Sequence, residues 1–261
     1  MVVADLHVHT TNSDGAMELD EVPAAARRAG VDVVAVTDHD RLHPDLHTPV
    51  THADGVTLLH GIELRVDVGP FRVDLLGYGA RPTGPLAEAV DRLQRNRIER
   101  AREITECVEA RLDVSLDVEF TEGVGRPHIA RAIEASEADL DYGDAFEELI
   151  GNDGPCYVPR EVPDFETGVD LLSESCGLVG LAHPFRYDDP EAALELCADL
   201  DAVERFYPYG REVDEALLDR AVADHGLVRT GGSDAHDDVL GKAGLDRDDY
   251  RRFRDAVDLG V

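Results

Sequence analysis

Histidine and carboxylate side chains occur in six short clusters spread along the chain. The pairs His7/His9 and Asp234/His236 are each two residues apart. On a β-strand this spacing turns both side chains to one face. Imidazole and carboxylate ligands together suit first-row divalent ions such as Mn, Fe or Zn. One His-X-His pair arises easily by chance, but six clusters predict a polynuclear metal site. The clusters are residues 5–9 with Asp14, then 37–40, 61–63, 126–128, 182–184 and 232–236.

Short apolar runs alternate with helical patterns over most of the chain. Strands are predicted at residues 2–6, 31–37, 56–59, 73–77, 178–182, 202–206 and 227–230, and a first helix at 19–29, ended by Gly30. Continuous apolar runs are typical of parallel strands buried on both faces. Repeated βα units predict an α/β fold with a TIM-like barrel, whose active site lies at the carboxyl ends of the strands. Four of the clusters follow predicted strands in this way.

Residues 86–164 interrupt this alternation. A long, charged helical stretch covers 86–112, and 131–148 is mostly helical as well. We therefore expect a barrel formed by residues 1–85 and 165–261, and a helical insertion at 86–164 that caps the active site.

The clusters, in this order, resemble the PHP (polymerase and histidinol phosphatase) family of metal-dependent phosphoesterases over nearly the whole chain. Residues 125–132 (Gly-Arg-Pro-His-Ile-Ala-Arg-Ala), 145–146 (Ala-Phe) and 157–160 (Tyr-Val-Pro-Arg) are similar to the branch named after TrpH and YciV. The resemblance implies a distorted seven-stranded barrel and phosphoester hydrolysis by metal-activated hydroxide.

The resemblance also implies three metal positions. The first is formed by His7, His9, Glu63 and Asp234, the second by His183 with Glu63 as a bridge to the first, and the third by Asp14, His39 and His236. We expect two or three divalent ions, Mn first, with Fe or Zn as alternatives. Many relatives carry a histidine where this chain has Asp74. Asp74 ligates the second ion through oxygen, or that site is weaker and the protein works with fewer ions, or Asp74 faces solvent.

The catalytic candidates are Asp234, His128 and Asp38. His128 could protonate a leaving oxygen or contact a phosphate. Asp38 either orients a ligand histidine or caps a loop. Guanidinium groups grip phosphate in bidentate fashion, so the substrate-binding candidates, besides His128, are the arginines beside the motifs: Arg126, Arg160 and Arg186. The alternative for each arginine is a surface ion pair.

Charge is unusually one-sided, with 56 acidic residues against 25 basic ones and a formal net charge of −31. Lys242 is the one lysine. Self-repulsion on this scale destabilises a compact chain in dilute buffer, and molar salt screens it. We interpret the composition as a halophilic adaptation; the alternative is an acidic surface that repels nucleic acid.

Four cysteines, Cys107, Cys156, Cys176 and Cys197, show no CxxC pairing. Their number permits disulfides, but we expect reduced thiols in an intracellular protein. Without a signal peptide or an apolar run of membrane-spanning length, the expected location is the cytoplasm, with no membrane partner. The sequence leaves the oligomeric state open.

The predicted substrate is a small nucleotide, such as a nucleoside 3′,5′-bisphosphate, or the 5′-terminal nucleotides of a short RNA. The sequence lacks a basic stripe interleaved with aromatic residues, which is the pattern that would favour a long RNA. Two alternatives remain: a phosphatase of another metabolite, such as histidinol phosphate, and a metal-binding module without turnover. The middle motifs argue against the former, and the retained ligand residues argue against the latter.

Overall fold

The protein is described here by a computed structural model that covers residues 1–259. The chain divides into two compact units, one formed by residues 1–88 together with the described residues from 162 onward and one formed by Ala89–Glu161. No helix within residues 1–259 has both the length and the apolar character needed to cross a bilayer. That the helical insertion caps the active site stays a prediction.

The first unit is built on a curled sheet of eight strands. They are β1 (Ala4–Val8), β2 (Val33–Val36), β3 (Val50–Ala53), β4 (Val56–Asp67), β5 (Arg72–Tyr78), β6 (Leu178–Leu181), β7 (Ala202–Phe206) and β8 (Val228–Gly231). Seven of them follow the order β1-β2-β4-β5-β6-β7-β8, and β3 pairs with β4. Beyond β8, Ala235 bridges back to Val8 of β1. The predicted distorted seven-stranded barrel is therefore confirmed.

Strand direction differs from the prediction at β5. The pairs β1/β2, β2/β4, β6/β7 and β7/β8 are parallel, but β5 runs antiparallel to both of its neighbours. A parallel neighbour requires a crossover of a dozen or more residues. Here a tight turn, closed by a hydrogen bond from Val68 N to Phe71 O of 3.0 Å, joins β4 directly to β5. β4 also extends beyond its predicted end at residue 59, so Glu63 lies within the strand.

Helices of the first unit cover the sheet. They are α1 (Val22–Ala29), α5 (Phe165–Ser173), α6 (Pro190–Glu195), α7 (Glu215–His225) and α8 (Arg247–Ala256). α1 begins three residues later than predicted, because Pro23 favours the first turn of a helix. Gly30 ends it with a φ of 73°, a left-handed conformation that glycine adopts without steric cost.

Strands β1, β2, β5 and β6 are buried on both faces, as their apolar runs predict. In β2, Val33 and Ala35 pack into one hydrophobic cluster, and Val34 and Val36 pack into another. Successive side chains of a strand point to opposite faces, so two separate cores need apolar residues at every position. Phe253 of α8 belongs to the first of these cores.

The second unit is helical. α2 (Gly84–Leu112) begins in the first unit and is followed by α3 (Arg126–Glu134), α4 (Tyr142–Asp144) and a π-helical turn at Ala145–Ile150. The helix predicted at 131–148 is thus broken after residue 134. Ile104, Ile129 and Ile150 are buried in a core of this unit's own.

A disulfide joins Cys107 of α2 to Cys156, with their Cα atoms 5.6 Å apart. The expectation of reduced thiols is wrong for this pair. The two residues are 49 positions apart, and only the tertiary fold brings them together. Cys176 and Cys197 are free, and burial raises the pKa of each thiol to about 12.

Candidate metal centre

Asp5 connects the first cluster, residues 5–9, to the last cluster, residues 232–236, through hydrogen bonds. Its carboxylate on β1 accepts hydrogen bonds from Ser233 N (2.8 Å), Ser233 Oγ (2.6 Å) and Gly241 N (2.8 Å). Asp5 is fully buried, so these charge-assisted bonds form in a low dielectric, where they are strong. The loop that carries Asp234 and His236 is therefore held beside the end of β1, next to His7 and His9.

A first ligand group consists of His7, His9, Glu63 and Asp234. His9 Nε2 lies 3.1 Å from Asp234 Oδ1 and 3.3 Å from Glu63 Oε2, and His7 Nε2 lies 3.4 Å from Glu63 Oε2. Ligand atoms about 2.1 Å from one ion are about 3.0–3.4 Å apart at octahedral or tetrahedral angles. The spacing therefore fits one divalent ion.

Buried atoms without partners point to the same conclusion. Within residues 1–259, His7 Nε2, His9 Nε2 and Glu63 Oε2 are buried and accept or donate no hydrogen bond. Burying polar atoms without partners is costly, and native structures rarely leave such groups unpaired. A cation bound among these atoms would satisfy all three.

A second ligand group combines His9, Asp14, His39 and His236. Asp14 Oδ1 lies 3.3 Å from His236 Nε2 and 3.8 Å from His39 Nε2. The ring of His236 stacks on that of His9, with centroids 4.2 Å apart. His39 also reaches the first group, since its Nδ1 is 2.8 Å from Glu63 Oε2. The two groups thus share His9, which the resemblance assigns to the first position alone.

A third ligand group consists of Glu63, Asp74 and His183. His183 Nε2 lies 3.0 Å from Glu63 Oε1 and 3.9 Å from Asp74 Oδ2. Asp74 is 2% exposed, so the alternative in which it faces solvent is wrong. Both of its oxygens receive hydrogen bonds from Arg65, at 2.7 and 2.5 Å. Ligation by Asp74 stays a prediction.

Glu204 orients the centre and was missed by sequence reasoning. It is fully buried on β7; Oε1 lies 3.0 Å from His7 Nδ1, and Oε2 accepts a 2.8 Å bond from the backbone N–H of His183. A carboxylate opposite Nδ1 keeps the proton there, so Nε2 presents its lone pair to the centre. The only signal in the sequence was an acidic residue inside a predicted strand.

Asp38 holds a loop. Its oxygens accept hydrogen bonds from Thr10 N (2.8 Å), Thr10 Oγ1 (2.8 Å), Ser13 Oγ (2.7 Å) and Asn12 Nδ2 (3.1 Å). These bonds fix the segment that leads to Asp14. Of the two predicted roles they match loop capping, and no hydrogen bond to a ligand histidine ring occurs among those of Asp38 in the described chain.

Three residues of the centre have a strained backbone. His183, Asp234 and Asp40 adopt φ values of 26°, 48° and 53°. Such conformations cost about 1–3 kcal/mol each for residues other than glycine and concentrate at functional sites. Asp40 is held by its N–H, which donates to Glu63 O (2.8 Å).

The charges of the centre stabilise one another. Burial raises the pKa of Glu63, but attraction to the neighbouring His39 and His7 rings outweighs it and holds that pKa well below its usual value. Burial likewise opposes ionisation of Asp234, yet attraction to the neighbouring His7 and His9 rings brings its pKa well below the usual range. Both carboxylates are therefore ionised at neutral pH and able to bind a cation.

Arg186 and Tyr207 lie at the outer edge of the centre. Arg186 Nη1 and Tyr207 Oη each donate to Asp234 Oδ2 at 2.8 Å, which leaves Oδ1 directed toward the histidines. The Arg186 side chain is 53% exposed, so a cation faces solvent beside the ligands. Arg186, one of the three candidate arginines, thus contacts a predicted metal ligand.

The remaining predicted substrate residues belong to the second unit. Arg126 donates to Ile150 O (3.1 Å) and Asn152 Oδ1 (3.0 Å). His128 Nδ1 accepts a 3.2 Å bond from Gly125 N at the start of α3. Burial and the charges of Arg126, Arg160 and Arg97 lower the pKa of Arg100 to about 9, so these arginines form a basic cluster. Substrate binding by Arg126, His128 and Arg160 stays a prediction.

Residues 5–137, about half of the chain, match the family model described as the PHP domain. Over 265 aligned residues the chain is 29% identical to a 3′,5′-nucleoside bisphosphate phosphatase of Chromobacterium violaceum, covering 94% of this chain and 90% of the relative. It is 30% identical to a phosphoribosyl 1,2-cyclic phosphate 1,2-diphosphodiesterase of Eggerthella lenta over 251 residues, covering 90% and 94%. A crystal structure from Bifidobacterium adolescentis, assigned as a metal-dependent phosphoesterase, superposes with a TM-score of 0.80 at 25% identity, covering 98% and 97%.

The chain belongs to the PHP domain family. It is a metal-dependent phosphoesterase, a hydrolase that acts on phosphoric ester bonds.

Proposed function

We propose that this enzyme removes a phosphate group from a small nucleotide that carries two phosphates, such as a nucleoside 3′,5′-bisphosphate. The support is the likeness to the Chromobacterium violaceum phosphatase, which extends over 94% of this chain and 90% of the relative. A likeness over nearly both full lengths includes the second unit as well as the metal ligands.

The ligand groups supply what a phosphate ester demands. Divalent ions bound there would neutralise phosphoryl oxygens and lower the pKa of a water ligand, and Mn is the ion we expect. Glu63 and Asp234 are the charged ligands, and His7 and His9 are the neutral ones. Hydrolysis joins a water oxygen to phosphorus and breaks the ester P–O bond, and the released ribose oxygen takes up a proton.

Arg186 is the residue of the first unit best suited to hold the substrate. Its exposed guanidinium lies 2.8 Å from Asp234 Oδ2, and its Nη1 is 3.1 Å from Tyr207 Oη. A phosphoryl group that replaces Asp234 as its partner would receive charge-assisted hydrogen bonds. Tyr207 would keep its bond to Asp234 and hold that ligand in place.

A second candidate is hydrolysis of a cyclic phosphodiester of a phosphorylated sugar. The specific observation is 30% identity to the Eggerthella lenta enzyme over 90% of this chain. Ligands suited to a monoester also suit a cyclic diester, since both reactions place a water opposite an ester oxygen. The third predicted activity, release of 5′-terminal nucleotides from RNA, is measured in the same experiment as these two hydrolysis reactions.

The test is a substrate panel for Mn-loaded protein in molar KCl. Adenosine 3′,5′-bisphosphate, a ribose 1,2-cyclic phosphate and a short 5′-phosphorylated RNA are incubated in parallel and resolved by chromatography. The proposal expects inorganic phosphate and a nucleoside monophosphate from the first compound, with kcat/KM at least tenfold above the others. Faster opening of the cyclic ester, or mononucleotides from the RNA, would replace the proposal with that activity.

Arg186→Met tests the assigned contact. Removing a charged donor to the phosphoryl group should lower kcat/KM about 10–100-fold, because bonds to charged groups contribute about 1.5–3 kcal/mol. Arg254→Met on α8 is the matched control, since Arg254 pairs with its exposed neighbour Asp255 at 2.8 Å. Equal activity of both variants would remove Arg186 from the substrate site.

A further inference from the structure

Arg65 and Asp74 face each other directly across the antiparallel pair β4/β5. Arg65 Nε lies 2.7 Å from Asp74 Oδ1, and Arg65 Nη2 lies 2.5 Å from Asp74 Oδ2. This is the two-pronged geometry in which a planar guanidinium matches a carboxylate best. The side chain of Asp74 is 3% exposed and that of Arg65 37% exposed, so the pair closes the third ligand group from its outer side.

The carboxylates of the first and third groups differ in what they leave for a metal ion. Asp234 gives Oδ2 to Arg186 and Tyr207 and keeps Oδ1 toward His7 and His9. Asp74, by contrast, accepts a hydrogen bond from Arg65 at each of its two oxygens, from Nε at Oδ1 and from Nη2 at Oδ2. What remains of the third group is Glu63 Oε1 and His183 Nε2, which are 3.0 Å apart and bonded to each other. The first group therefore keeps a carboxylate oxygen of Asp234 for a divalent ion, whereas both Asp74 oxygens of the third group already face a cation.

The backbone N–H groups of Asp74 and Arg65 also make hydrogen bonds that fix the positions of both residues. Asp74 N donates to Tyr187 Oη at 2.8 Å, and that hydroxyl donates to Ala182 O at 3.1 Å. Arg65 N donates to Asp40 Oδ1 at 3.1 Å. If the guanidinium moved away, a buried carboxylate would lose its counter-charge, which is strongly unfavourable. A divalent ion in the third group would in turn lie next to a guanidinium that stays protonated.

We infer that Arg65 takes the place of the ion in the third ligand group, so that the enzyme binds two divalent ions per chain rather than three. The guanidinium supplies the positive charge that Asp74 and Glu63 would otherwise share with a metal. Its partly exposed edge places a cation beside the ligand groups. The inference rests on the metal centre of the proposed function but not on its substrate.

The experiment counts ions without requiring turnover. Protein stripped with chelator is loaded with excess Mn in molar KCl and passed through a desalting column, and its Mn content per chain is measured by mass spectrometry. Wild type should retain two ions. Arg65→Met keeps the aliphatic stem and frees Asp74, and Arg65→Met/Asp74→His also supplies a neutral ligand; both should retain three. Arg72→Met is the matched control, because Arg72 pairs with Asp67 on the same hairpin (3.2 Å) and should leave the count at two.

Three ions in wild type would overturn the inference, and so would a count of two in both folded Arg65 variants. If circular dichroism shows that neither variant folds, the number and positions of the Mn ions are determined from anomalous scattering of wild-type crystals. A peak between Glu63 and His183 contradicts the inference, and two peaks confined to the other groups support it. An enzyme with two ions that is inactive on every phosphate ester would refute the proposed function and leave this inference standing.

Discussion

Replacing Glu204 with glutamine removes one acceptor from a buried carboxylate that serves two donors. Glu204 receives a bond from the backbone N–H of His183 at 2.8 Å and lies 3.0 Å from His7 Nδ1. Glutamine has the same shape, but only one of its two terminal atoms accepts hydrogen bonds. One of the two partners must therefore face an NH₂ group.

Both arrangements of the glutamine weaken metal binding. If its NH₂ faces His7, the ring proton moves to Nε2, and the lone pair that would bind the ion is lost. If its NH₂ faces His183, a buried N–H is left unpaired, at a cost of about 1–3 kcal/mol. Changes of this kind weaken metal affinity about 10–100-fold, which corresponds to about 1.4–2.7 kcal/mol.

Calorimetric titration of metal-free protein with Mn measures this effect. Glu204→Gln should show a dissociation constant 10–100-fold higher than wild type, with an unchanged circular dichroism spectrum. Glu212→Gln is the control, because Glu212 is exposed on the segment between β7 and α7 and should bind Mn as wild type does. A Glu204→Gln affinity within twofold of wild type would refute the claim that Glu204 sets the tautomer of His7.

Further predictions concern stability. Burial and the charge of His43 lower the pKa of His60 to about 4, so only the unfolded chain gains this proton between pH 6.5 and 4. Metal-free protein should lose about 3 kcal/mol over that range, and urea titrations of His60→Leu should show a smaller loss; equal losses would contradict the assignment. The disulfide closes 49 positions, so Cys107→Ser should lower the unfolding free energy by up to about 4 kcal/mol in the chain-entropy model; no change in urea titrations with and without reductant would be inconsistent with a formed bond. With a net charge of −31, the melting temperature should rise steeply from 0.1 to 2 M KCl; a flat dependence would speak against halophilic adaptation.

The ligand clusters were predictable because ligation chemistry restricts the residue types and strand geometry restricts their spacing. Alternation at His7/His9 is a local property of one strand, so the sequence carries it. The structure brings these residues into groups with His39, His183 and Asp234, which follow β2, β6 and β8, and this agrees with the rule that the ends of barrel strands meet. Glu63 joins these groups from within β4.

The residues that orient the ligands were not predictable by the same reasoning. Glu204 lies beside Arg205 in a strand that is otherwise apolar, and nothing in its neighbourhood indicates a contact with His7, 197 positions away. Arg65 and Asp74 become partners only because β4 and β5 form a hairpin in this register. A prediction of β5 as a parallel strand hides that pairing. Cys107 and Cys156 were likewise not predictable as partners, because only tertiary packing brings them together.

The most direct test of the central claim compares one protein in two metal states. Phosphate release from adenosine 3′,5′-bisphosphate is measured in molar KCl for chelator-stripped protein and for the same protein after Mn is restored. We predict no release above background without metal and recovery of multiple turnovers with it, and no recovery in His9→Ala, which lacks a ligand shared by two of the groups. Phosphate release that is equal with and without metal, or that persists in His9→Ala, would contradict the assignment of these clusters as the catalytic centre.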